Sequence, residues 1–279
     1  MASSIYSVAD GDNQVADFVG DIDQIVSIDP AFGGPDNITT GVSDDIILGG
    51  EDNDVINAGI GQNIVFGDNG QIIAAVANTL RFGAQPLTLG RIETTAFDIG
   101  GDDQITTLIG RDIVLGGDDN DTITAADLAA GSTDDDNIVF GDDGRIVFDA
   151  DLNSADIDEI ISTSTTLGGG MDIINTTSGE DLIIGGRFGD NINARHGRNI
   201  IIGDSGRILA HTADSPRQFP GLEMTVALIT TIEPGDGGND TIVTGNDEDI
   251  VLAGMAADNA TTNAANDIVL GDNGRVDYV

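Results

Sequence analysis

This sequence predicts an all-β fold: a parallel β-roll, or β-solenoid, of 18-residue coils with loop or hairpin excursions every ~68 residues. Three observations carry the prediction. Nine-residue units fall in four runs of four, with Asp or Asn at position six and a small aliphatic residue at position eight. The runs start at Ala31, Asp98, Leu167 and Gly235, which gives super-periods of 67, 69 and 68 residues. Within each unit a Gly/Asp/Asn-rich stretch of six precedes three strand-forming residues.

The first run is contiguous. It comprises 31–39, 40–48, 49–57 and 58–66, with Asp36, Asp45, Asp54 and Asn63 at position six. Position eight holds Ile38, Ile47, Ile56 and Val65. Side chains alternate along a strand, so position eight points one way and positions seven and nine the other. Two units then close one flattened coil with a turn on each edge, and glycines in those turns allow positive φ. Two units come close to the pattern G-G-x-G-x-D-x-U-x: Gly49-Gly50-Glu51-Asp52-Asn53-Asp54-Val55-Ile56-Asn57 and Gly116-Gly117-Asp118-Asp119-Asn120-Asp121-Thr122-Ile123-Thr124. On these residues the chain resembles the RTX, or hemolysin-type calcium-binding, repeat family. The units cover about half of the chain, and their phasing carries the resemblance over most of it. That resemblance implies Ca²⁺ as the ligand, secretion by a one-step exporter, folding outside the cell and membership of a larger toxin, adhesin, surface-layer protein or exoenzyme.

A fifth turn follows each run: 67–70, 141–144, 203–206 and 271–274. A short strand comes next (Gln71-Ile72, Arg145-Ile146, Arg207-Ile208, Arg275-Val276), then a poorly patterned spacer holding Pro86, Pro216 and Pro220. The spacers end in strand-like segments such as Ile92-Glu93-Thr94-Thr95, Ile160-Ile161-Ser162-Thr163 and Leu228-Ile229-Thr230-Thr231. Units alternate between the two sheets of a roll, so each spacer must add an even number of strands. Counting its two strands gives three coils per super-repeat, about twelve coils in all, and a length of roughly 55 to 60 Å. The organisation expected is one continuous solenoid: residues 1–30 as part of a preceding spacer, super-repeats 31–97, 98–166 and 167–234, and a truncated fourth at 235–279. Residues 125–131 read as a small insertion.

The two sheets are predicted to differ. First and third units carry polar outward residues, such as Asn37, Thr39, Asn57, Gln104, Thr122, Asn191 and Asn193, and that sheet should face water. Second and fourth units are apolar throughout, as in Ile46-Ile47-Leu48, Ile138-Val139-Phe140 and Ile200-Ile201-Ile202, which is the pattern of a sheet buried on both faces. Something must cover that outer face. Either the excursions fold back over it through Leu80, Phe82, Leu87, Leu89, Leu222, Met224 and Val226, or identical chains associate through it.

Ca²⁺ takes six to eight oxygen ligands. Position-six carboxylates stacked two units apart fit that need: Asp36 and Asp54 line one edge, Asp45 and Asn63 the other, and the further position-six carboxylates are Asp103, Asp112, Asp121, Asp172, Asp181, Asp190, Asp240, Asp249, Asp258 and Asp267. The fifth turn should stack on the third, so Asp68, Asp142, Asp204 and Asp272 are candidates to close each row. Departures from the pattern weaken parts of it: Asn63, Asn137 and Asn199 are neutral ligands, Phe188 replaces a turn glycine, and the guanidiniums of Arg187, Arg195 and Arg198 offer to stand in for a cation. Turn aspartates also have a metal-free use, accepting backbone N–H groups.

Composition agrees with ligation. The net charge is −39, with 42 Asp against 7 Glu, ten Arg and no Lys. Asp keeps its carboxylate near the backbone, where turns and cations need it. So much negative charge opposes nucleic-acid binding. There is no cysteine, no apolar run long enough for a transmembrane segment and no phosphate loop. Met1-Ala2-Ser3-Ser4 shows no signal pattern. His196 and His211 have no triad partners evident in the sequence, and the run Asp134-Asp135-Asp136 reads as a solvated or ligating loop rather than a glycosidase pair. Thr pairs such as Thr39-Thr40 and Thr106-Thr107 stand at strand ends, so they do not form the flat ladder of an ice-binding surface. The function expected is a non-catalytic, calcium-binding, extracellular structural segment, with a self-assembling surface-layer unit or the repeat module of an exoenzyme or toxin as alternatives.

Overall fold

Position eight is the residue that stacking buries. In the computed structural model, which describes residues 21–75, 81–125, 136–151, 156–164, 166–212 and 223–278, it forms two straight columns. In one sheet Ile38 pairs with Ile56, then Ile105, Ile123, Ile174, Ile192 and Ile242 in turn. In the other, Ile47 pairs with Val65, then Val114, Val139, Ile183, Ile201 and Val251. The two columns face each other as one apolar cluster, the interior of the roll. Each buried Ile or Val contributes about 1.5 to 3 kcal/mol, and a one-residue slip would turn a whole strand inside out.

Both sheets of the roll are parallel and eight-stranded. The solvent sheet runs from Asn37–Thr39 and Val55–Gly59 at one end to Thr241–Thr244 and Asn259–Thr261 at the other. Its outward residues, including Asn37, Thr39, Asn57, Gln104, Thr122 and Asn191, are exposed or half-buried, as their polarity predicts. The central sheet runs from Ile46–Leu48 to Ile268–Leu270.

The spacer strands do not enter the roll. They form a third, antiparallel sheet of eight strands: Gln24–Val26, Gly70–Ala74, Leu89–Thr94, Gly144–Val147, Glu159–Ser162, Gly206–Ala210, Val226–Thr231 and Arg275–Asp277. This cover sheet lies over the central sheet, its own column of Ile72, Ile92, Ile146, Ile160, Ile208 and Ile229 packing on Ile64, Phe66, Leu115, Phe140, Ile184 and Ile202. The expectation of three coils per super-repeat is therefore corrected to two, and the roll is about 35 Å long rather than 55 to 60 Å. Parity allowed either outcome, because zero spacer strands is as even as two. Burial selected zero: the apolar outer face of the central sheet takes the hairpins as its cover.

That cover settles the choice the apolar strands left open. Phe82, Leu87, Leu89, Met224 and Val226 all pack in the cluster between the central and cover sheets. The hairpins therefore cover the outer face of the central sheet along most of its length, and at its last strand Ile268 stays exposed. A glycine in each fifth turn lets the chain double back: a Cβ on Gly144 would meet the Phe140 ring well inside 3.0 Å. Several sequence readings lie outside the described residues: the Met1-Ala2-Ser3-Ser4 start, Leu80, most of the 125–131 insertion, Asp134 and Asp135, Pro216, Pro220 and Leu222.

Candidate metal centre

The coil length of two units brings position six of alternate units into register on one edge. There the Asp36 N–H donates to Asp54 Oδ1 (2.6 Å), Asp54 to Asp103 (2.7 Å), Asp103 to Asp121 (2.8 Å) and Asp121 to Asp172 (2.8 Å). The ladder continues through Asp190, Asp240 and Asp258 at 2.8 to 3.0 Å. Every rung of this first edge is an aspartate, and each uses one oxygen to hold the preceding turn.

The second oxygen is the informative one. Oδ2 of Asp54, Asp103, Asp121, Asp172, Asp190, Asp240 and Asp258 is buried and accepts no hydrogen bond. A buried carboxylate oxygen with no partner is costly unless a cation or proton meets it. The turns keep room at that oxygen. Position one is Gly49, Gly116 and Gly185, with Gly67, Gly141 and Gly203 of the fifth turns stacked between them. A Cβ on Gly116 would lie well inside 3.0 Å of both Asp121 Oδ2 and the Gly141 carbonyl oxygen, and the other five glycines repeat this. Carboxylate and carbonyl oxygens thus converge rung after rung.

Without a cation these carboxylates resist ionisation. Burial pushes Asp103 and Asp172 up to about 7 and Asp240 to about 8, and raises Asp54, Asp121 and Asp190 as well. Neighbouring carboxylates add to it: Asp172, Asp103 and Asp68 all raise Asp121.

The fifth-turn aspartates enter this edge as latches. Asp142 Oδ1 accepts the Gly170 N–H (2.7 Å) and its Oδ2 accepts the Arg187 N–H, so it ties the second super-repeat to two turns of the third. Asp204 accepts the N–H groups of Gly238 (2.9 Å) and Met255, and Asp68 accepts that of Asp118 (2.6 Å). Burial raises Asp68 to about 10, with Asp103 the nearest negative neighbour, and Asp204 to about 6. Asp272 is exposed in the last fifth turn. Sequence reasoning placed these residues in the row but missed the latch, because its donors lie up to 51 residues away.

On the second edge the ladder alternates. Asp45 donates to Asn63 (3.1 Å), Asn63 to Asp112 (2.8 Å), Asp112 to Asn137 (3.0 Å), Asn137 to Asp181 (3.0 Å), Asp181 to Asn199 (3.1 Å), Asn199 to Asp249 (2.9 Å) and Asp249 to Asp267 (3.1 Å). The arginines of the third run stay off both columns: Arg187 binds Asp236 (2.7 Å) and the Gly168 carbonyl (2.6 Å), and Arg198 pairs with Glu180 (3.1 Å). Phe188 holds its turn with φ +69°. His196 and His211 are both exposed.

Residues 31–71, 99–128, 167–187, 175–207 and 235–260 match the RTX calcium-binding nonapeptide repeat in four copies. This chain belongs to the RTX repeat family. No curated protein and no solved structure matches it. RTX nonapeptide repeats bind Ca²⁺, several ions to an array. The first edge fits such an ion. Its unbonded oxygens are hard ligands, and glycine at these turns leaves no side chain between each carboxylate and the neighbouring carbonyl. Among the described residues no three carboxylate or imidazole side chains form a ready cluster. An ion held here therefore draws on one or two carboxylates and completes its shell from turn carbonyls. When bound it supplies the positive charge that the column lacks. Among the described residues no helix is long and apolar enough to cross a membrane.

Proposed function

We propose that the chain is a non-catalytic, extracellular structural segment, a stalk, spacer or matrix unit of a larger surface or secreted protein, that folds when it meets calcium. One observation carries the reading: the unbroken row of buried aspartates whose outer oxygens have no donor. Such a row is self-repelling in a metal-free chain of net charge −39 and becomes cohesive once cations sit in it. Low cytoplasmic calcium then leaves the chain loose for export, and millimolar calcium outside closes the roll. An uninterrupted roll whose central sheet is covered by a third suits a spacer, since its stiffness comes from every rung. Circular dichroism with calcium and with chelator at neutral pH tests the claim. The β signal should collapse on chelation and return with excess calcium; an unchanged signal would remove calcium as the folding trigger.

A further inference from the structure

We infer that this roll takes calcium along one edge only, the all-aspartate edge, while the opposite edge, where buried position-one side chains replace glycine and asparagine amides hold one oxygen of the carboxylates, binds no ion. The inference rests on the calcium reading above and sharpens it to particular residues.

The edges share a period but differ in what meets the position-six carboxylate. On the first edge a glycine stands against the carboxylate's outer oxygen, position-one Gly49, Gly116 and Gly185 at Asp54, Asp121 and Asp190 and fifth-turn Gly67, Gly141 and Gly203 at Asp103, Asp172 and Asp240, so no side chain separates that oxygen from the neighbouring carbonyl. On the second edge position one always carries a Cβ. Thr107, Thr176 and Thr244 precede Asp112, Asp181 and Asp249, whereas Ala58 and Ala194 precede Asn63 and Asn199. These threonines and alanines are fully buried where the first edge has glycine.

Donors meet one oxygen of each second-edge carboxylate, while Oδ2 of Asp112, Asp181 and Asp249 is buried without a regular hydrogen bond, as on the first edge. Asn63 Nδ2 donates to Asp112 Oδ1 (3.0 Å), Asn137 Nδ2 to Asp181 Oδ1 (3.1 Å) and Asn199 Nδ2 to Asp249 Oδ1 (3.2 Å). Each of those oxygens also accepts the backbone N–H of the same asparagine. The Thr244 hydroxyl stands just outside regular hydrogen-bond geometry, yet it is close enough to Asp249 to favour the charged carboxylate. The amides reach the carbonyls as well: Asn63 Nδ2 donates to Gly61 O (3.1 Å) and Asn199 Nδ2 to Gly197 O (3.0 Å). Carbonyl oxygens that a cation would recruit are thus already bonded. The asparagine amide thus gives Oδ1 on this edge a second donor that the first edge lacks.

Calcium titration of the full chain, by calorimetry and by equilibrium dialysis with metal analysis, tests this. The wild-type chain should hold about one ion per interval of the first edge, half of what two metallated edges would hold. Asp121→Asn should lose at least one ion. Asp181→Asn, which keeps an acceptor and adds a second amide, should lose none and keep the wild-type midpoint within about twofold. Loss of an ion from Asp181→Asn, or a wild-type count matching both edges, would overturn the inference. Should either variant fail to fold, the wild-type count decides alone. No bound calcium in the wild type would instead defeat the calcium reading itself, a separate outcome.

Discussion

Asp121 and Asp249 hold the same place in the same nine-residue unit, on opposite edges of one roll. Both are buried, and burial raises both. Around Asp121 the next influences are the negative charges of Asp172 and Asp103; around Asp249 they are donors, the Thr244 hydroxyl and the Asn199 N–H. One residue has been placed among its own kind; the other has one oxygen held by an asparagine's backbone and amide N–H groups, while Oδ2 of each is left without a regular hydrogen bond. A repeat motif therefore fixes where a ligand stands but not whether it is used; the rungs above and below decide that.

The largest effect expected follows from pH. Asp204, Asp103, Asp172 and Asp240 are raised to about 6, 7, 7 and 8 in the folded, metal-free chain, above the unfolded value of 3.8. A raised carboxyl binds its proton more tightly folded than unfolded. Its contribution is full below the unfolded value and is lost as pH rises through the folded one. The metal-free protein should therefore melt at higher temperature at pH 5 than at pH 8, and the stabilisation by calcium should grow across the same window as the ion replaces protons. Thermal unfolding of dialysed protein at both pH values, with and without calcium, measures this. A metal-free chain more stable at pH 8 would show that the first edge is not under strain from its own charge.

Backbone approach gives the next contrast. Gly116→Ala should cost about 3 kcal/mol, because a methyl group meets both Asp121 Oδ2 and the Gly141 carbonyl oxygen. Thr107→Ala, at the same position on the second edge, should cost about 1 kcal/mol through the lost hydroxyl and methyl. Denaturant titrations in calcium would rank them; equal costs would mean that the two edges are packed alike. The smallest effect lies in the turn itself. Position four of the third unit is left-handed at Asp52, Asp119, Phe188 and Ala256, with φ between +68° and +89°. Ala256→Gly relieves that and should raise stability by about 1 kcal/mol, read as a shift in the denaturant midpoint.

Much of this was legible beforehand. The Ile38-to-Ile242 column, the water-facing Asn/Thr sheet and the assignment of Asp36 and Asp54 to one edge and Asp45 and Asn63 to the other all follow from a local period of nine. The pairing of Thr107 with Asp112 and of Ala58 with Asn63 was visible too, but it carries meaning only once those side chains are known to share a small space. The Asp142 latch had no local signal, since the chain leaves the roll, crosses the cover sheet and returns before Gly170 and Arg187 donate to it.

The sequence by itself determined the roll: its coil length, its strand register, which faces are apolar and how carboxylates line up along each edge. These are short-range properties, set by alternation along three-residue strands and by turn chemistry that repeats every coil. Tertiary structure alone decided that the spacer strands make an antiparallel cover instead of extra coils, because an even count of zero or two satisfies the local rules equally and only burial of the Phe66, Phe140 and Ile202 face separates them. It also made the two edges unequal, since a carboxylate's need for a cation depends on donors supplied from neighbouring rungs, which no single unit contains.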